Sequence, residues 1–155
     1  MRMITCAAAA ALMLAAGAAS AGTLPTGGVT AQEVAASLQA KGYKAEIGQD
    51  SGGDPMISSA LDGSTYKILF YNCKSGRCAS IQFATAFDMK NGLALAKVNS
   101  WNREKRFGRA YLDDEMDPFV EYDIDMERGA TTEAIANVID VWAAVVPAFK
   151  SYVGF

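Results

Sequence analysis

The stretch from Tyr66 to Phe87, YKILFYNCKSGRCASIQFATAF, constrains the fold of this chain more than any other. Two runs rich in β-branched and aromatic residues flank a short polar insert holding Gly76, which is the pattern of an antiparallel hairpin. Setting Cys73 opposite Cys78 fixes the register, pairing Phe70 with Ile81, Ile68 with Phe83 and Tyr66 with Thr85. Those residues form an apolar face. The other face takes both cysteines with Tyr71, Leu69, Lys67, Ser80 and Gln82, so the hairpin is expected to pack on one side and be partly wet on the other.

The start of the chain sets the compartment. Met1 to Ala21 has a charged start at Arg2, an Ala/Leu/Met-rich run from Cys6 to Ala16, and Ala19-Ser20-Ala21. This is the build of a secretory signal cut after Ala21, and it places the mature protein in the periplasm or outside the cell. The run is short of the ~20 residues of a membrane span, and on this reading no later segment is one. Cleavage removes Arg2, one of 14 basic residues, and none of the 17 acidic ones, leaving a mature net charge of −4. An acidic surface does not suit nucleic acid, where cations set against phosphate dominate affinity. The chain has no histidine, which removes the commonest general base and metal ligand.

Periodicity then lays out one domain, residues 29–155, behind a flexible leader, Gly22 to Gly28. Thr30 and Glu33 form a capping box for a helix from Ala31 to Lys41 that Gly42 stops. Tyr43 to Ile47 is a brief extended piece and Gln49 to Pro55 a loop. Met56 to Leu61 leads through the Asp62-Gly63 turn into the central hairpin, giving a three-stranded meander. A helix is placed from about Lys90 to Lys105 on the spacing of Ala94, Val98 and Trp101. Phe107 to Asp113 and Phe119 to Glu127 form a second hairpin. The latter strand alternates Val120, Tyr122, Ile124 and Met126 with Glu121, Asp123, Asp125 and Glu127, the acids expected on a solvated face. Thr131 or Thr132 caps a last helix whose stripe runs from Ile135 to Phe149, with Pro147 expected to kink it or end its regular hydrogen bonding. The fold class is α+β: an antiparallel sheet of about five strands with helices packed on it.

The candidate sites are few. Cys73 and Cys78, an even pair in an exported chain and cross-strand in a hairpin, are read as a structural disulfide rather than a redox site, which favours a helix N-terminus. Asp113, Glu115 and Asp117 occupy the first positions of a calcium loop, but Pro118 stands where its glycine belongs and Ile124 where its glutamate belongs, so no metal site is assigned. No catalytic residue and no cofactor site is assigned. Trp101 and Arg109 are the candidate partner contacts. Trp101 is a surface anchor or core; Arg109 pairs with an acid of the neighbouring strand or faces a ligand.

The segments DGSTYKILFYNCKSGRCASIQFATAF and VNSWNREKRFGRAYLDDEMDPFVEYDIDM resemble the YbjN family of bacterial proteins. The resemblance rests on the Asp62-Gly63 turn, the aromatic hairpin, Val98-Asn99 with Trp101-Asn102, and Arg106-Phe107-Gly108-Arg109 leading into a strand. It implies a fold similar to type III secretion chaperones and a regulator of sensory transduction, with no catalytic residues to carry over. The leading expectation is a non-enzymatic exported module that binds another protein or itself. The alternative is a small-ligand sensor or carrier with a pocket between the sheet and the last helix.

Overall fold

A computed structural model describes residues 22–155. The expected signal segment, Met1 to Ala21, lies outside the described residues. The order of elements is α1 (Ala31–Ala40), β1 (Glu46–Gln49), β2 (Pro55–Leu61), β3 (Ser64–Lys74), β4 (Arg77–Ala86), α2 (Leu95–Glu104), β5 (Arg109–Leu112), β6 (Pro118–Asp125) and α3 (Thr132–Val153). The strands form one antiparallel sheet in the order β1-β2-β3-β4-β6-β5, so the class is α+β as expected.

Among the described residues the sheet has six strands rather than five. The extra one is β1, whose Glu-Ile-Gly-Gln sequence is exposed throughout and has no burial alternation to reveal it. In the central hairpin Ile68 faces Phe83, Phe70 faces Ile81 and Cys73 faces Cys78, the expected register. Tyr66, Ile68, Phe70, Ile81, Phe83 and Thr85 are all buried. Cys78, expected on the wetter face, is fully buried, because Val29 exchanges both backbone hydrogen bonds with it.

That contact belongs to a strap. Gly22 to Gly28 was expected to be a flexible leader, but its backbone is tied down on both sides. Thr23 bridges Thr131, Leu24 N–H donates to the Ala130 carbonyl, and Gly27 N–H donates to that of Glu127. Gly28, at φ +103, passes so close to the hairpin tip that a Cβ there would stand 2.0 Å from the Cys78 carbonyl oxygen. Arg77 donates to the Gly28 carbonyl and to both Glu33 carboxylate oxygens, joining tip, strap and α1. Thr30 and Glu33 form the expected capping box.

The helices pack on one face of the sheet. Residue α3 Trp142 meets Tyr66 at 5.9 Å and Phe83 at 5.6 Å between ring centroids, above the hairpin. The 22-residue α3 is long and apolar enough to cross a membrane by composition, which corrects the reading that no later segment is. Its apolar stripe, from Ile135 to Val153, is buried within the domain. Pro147 does not end it: Val146, Phe149 and Val153 are buried on either side, and the helix stops at Gly154 in the left-handed conformation. Helix α2 begins at Leu95 rather than near Lys90. Residues 89–93 are held to the β5–β6 turn instead, with Met89 N–H donating to Asp117 and Leu93 N–H to the Met116 carbonyl.

Candidate functional site: the uncovered face of the sheet

Among the described residues, no helix covers the second face of the sheet. Alternation along each strand puts Ser58 and Ala60 of β2, Lys67 and Leu69 of β3, Gln82 and Ala84 of β4, Glu121 of β6 and Tyr111 of β5 on it. The small side chains of Ser58, Ala60, Ala84 and Ala86 leave room on it around Lys67 and Leu69. The result is a concavity of about 660 Å³ lined from Lys44 and Glu46 on the β1 side to Tyr111 and Phe119 on the β5 side. The rings of Tyr111 and Phe119, directly opposed in the register, stack with centroids 5.1 Å apart.

A hydrogen-bonded chain crosses four strands at one margin of this concavity. Tyr71 donates its hydroxyl to Gln82 at 3.2 Å, and the Gln82 amide donates to Asp123 at 2.7 Å and Glu121 at 3.3 Å. Glu121 also accepts from the Tyr111 hydroxyl at 2.9 Å and from the Arg109 guanidinium. The Arg109 guanidinium lies 5.8 Å from the centre of the Tyr111 ring. Burial pushes the Tyr111 phenol up to about 12, and the hydrogen bond to Glu121 and its charge add to this, against the opposing pull of Arg109. The Tyr71 phenol is also raised, first by burial and then by the charges of Glu121 and Asp123.

The acids of β6 therefore differ among themselves. Glu121 was expected on a solvated face, yet it is only 8 % exposed, because the Arg109 and Tyr111 side chains close over it. Asp123 and Asp125 stay exposed, and Glu127 lies past the strand end. Arg109 takes the paired alternative: the register sets it opposite Glu121. Gln82, Tyr111 and Lys67 were not singled out by sequence reasoning. The cysteine register already put Lys67 and Gln82 on one face; the missing signal is the pairing of β6 with β4 and β5, which brings Glu121 and Tyr111 to that face and which sequence alone did not fix.

A family model described as "Putative bacterial sensory transduction regulator", YbjN, matches residues 30–155. The chain belongs to the YbjN family. A search of curated proteins found no match. The YbjN features read in the sequence have structural roles on the covered side. Trp101 is 1 % exposed, so it holds the core position rather than that of a surface anchor. It packs against Phe149 at 4.9 Å and Tyr152 at 5.3 Å, and its indole N–H donates to the Gly108 carbonyl at 2.8 Å. The end of α3 meets α2 through Phe149 and Tyr152, so the apolar side of α2 already has a partner. Asn102 imitates a strand at the β5 edge, its amide donating to the Ala110 carbonyl at 2.9 Å and its oxygen accepting from the Ala110 N–H at 2.8 Å. Gly108, at φ +82, lies where a Cβ would meet Val120 and Val145, each at 2.9 Å. In this YbjN protein Cys73 and Cys78 are bonded across the hairpin tip, at the end of the sheet away from Tyr111.

Proposed function

We propose that this YbjN protein is an exported sensory module that works by binding, and that the uncovered face of its sheet holds what it senses. The observation that carries the reading is the concavity itself. Small-molecule sites commonly enclose roughly 300 to 1,000 Å³ and combine apolar walls with a few placed polar groups. The face offers about 660 Å³, a stacked aromatic pair, and a polar chain whose members are already hydrogen-bonded to one another. A site organised before its ligand arrives loses less side-chain freedom on binding. This favours the ligand alternative of the sequence reading, on the opposite face of the sheet from the one expected. Export rests on the signal-like build of Met1 to Ala21 and on the paired mature cysteines.

A protein partner is the second reading, and one observation favours it. A shallower apolar groove of about 440 Å³ lies between the end of α2 and the outer side of α3, lined by Phe107, Val141, Ala144 and Ala148 with Lys105 and Arg106 at its rim. A photoreactive side chain placed at Ala84, on the concave face, or at Ala144, on α3, separates the two in the exported chain. An adduct of small-molecule mass from Ala84 supports the proposal. Adducts from Ala144 alone overturn it in favour of the second reading.

A further inference from the structure

We infer that the uncovered face selects a small organic monoanion with an apolar body. The inference rests on the binding reading above and adds the ligand's charge. Four charged residues line the concavity: Lys44, Glu46, Lys67 and Glu121. Lys44 pairs with Glu46 at 2.6 Å, and Glu121 pairs with Arg109. Lys67 makes no ion pair or side-chain hydrogen bond among the described residues. One positive charge is therefore left uncompensated inside the cup.

Its position favours use by a ligand. Lys67 lies on β3, one of the two middle strands, with Ser58 directly beside it on β2 and Ala84 on β4. Neither neighbour is large enough to cover it. The body of the ligand is set by what surrounds that charge: Leu69, Ala84 and Ala86 as floor, and the Tyr111–Phe119 stack as wall. Aromatic faces and small apolar side chains favour a flat or slender apolar body. A carboxylate on Lys67 would gain a charge-assisted hydrogen bond, with the Ser58 and Thr65 hydroxyls within the same lining. A cation would meet Lys67 with no free acid among the described lining residues, because Glu46 is paired with Lys44 and Glu121 is occupied by Arg109, Tyr111 and Gln82.

Three probes with one ring system and different charges test this: 1-naphthoate, 1-naphthylmethanol and 1-naphthylmethylammonium, titrated into the mature chain and followed by backbone amide shifts. Naphthoate should shift the amides of Ser58, Lys67, Ala84 and Phe119 and bind more tightly than the other two. Lys67→Gln should weaken naphthoate by about tenfold or more, which is about 1.4 kcal/mol, and Lys67→Arg should keep most of it. Added salt should weaken it as well. Equal or tighter binding of the ammonium overturns the inference, as does unchanged naphthoate affinity in Lys67→Gln. If no probe reaches the face while the Ala84 adduct still forms, the anion inference falls and the binding face stands. If the adduct is absent too, both fall.

Discussion

Glu121 shows how one residue can reverse the meaning of a pattern. The alternation from Phe119 to Glu127 gives the strand and its apolar side correctly, and nothing in it separates Glu121 from Asp123 or Asp125. Burial does, and burial depends on which residues stand opposite. Arg109 and Tyr111 flank Glu121 on β5, and Ala84 leaves room beside it on β4. Tyr111 makes the arrangement measurable. Its phenol titrates near 10 when unfolded and at about 12 in the fold. Between those values the unfolded chain has released a proton that the native state keeps, so stability falls as pH rises through that window and is fully present below it. Tyr111→Phe should remove this part of the alkaline decline, while the raised Tyr66 and Tyr71 retain theirs. Urea unfolding at a series of pH values from 9 upward, alongside the phenolate absorbance titration, would check it. An unchanged decline in the variant would mean that burial and the contact with Glu121 do not raise the Tyr111 phenol in the fold.

At the scale of elements, local signals were legible and long-range ones were not. The central hairpin, the capping box and the stripe of α3 each follow from residues close in sequence, and each is where the pattern placed it. The late start of α2 and the strap depend on partners far along the chain, which no local periodicity reports, whereas β1 pairs with the neighbouring β2 and was hidden because it is exposed throughout. The candidate face lies between these cases. Its central residues, Lys67, Leu69 and Gln82, were placed on the wetter side of the hairpin from the cysteine register alone. Its aromatic wall needed the pairing of β5 with β6. The cysteine bridge is the element-scale test. Chain-entropy arguments give about 2 kcal/mol for so small a loop, and Cys73→Ser with Cys78→Ser should cost about that much and leave the fold intact. The loss is expected to show first at the strap, because Val29 pairs with Cys78. Alkylation of the denatured, unreduced mature protein should find no free thiol; labelling of both cysteines would refute the bridge.

For the whole molecule, the proposed export fixes where the folded chain begins. Intact mass of the exported protein should correspond to a start at Gly22, and a product that retains Met1 would overturn the periplasmic placement. The strap that follows this start has a consequence for the order of events. Gly22 N–H reaches the Thr132 hydroxyl, a contact between residues 110 positions apart, and Thr132 N–H donates back to the Gly22 carbonyl. Contacts of such separation form late, since the intervening chain must first be brought together. In a chain that leaves the cytoplasm N-terminus first, the strap emerges first and its partner at the head of α3 among the last. The meander β2–β3–β4 can assemble from neighbours alone. Closure of the domain waits for the other end of the chain, so an unfinished polypeptide stays open and threadable until transport is nearly complete.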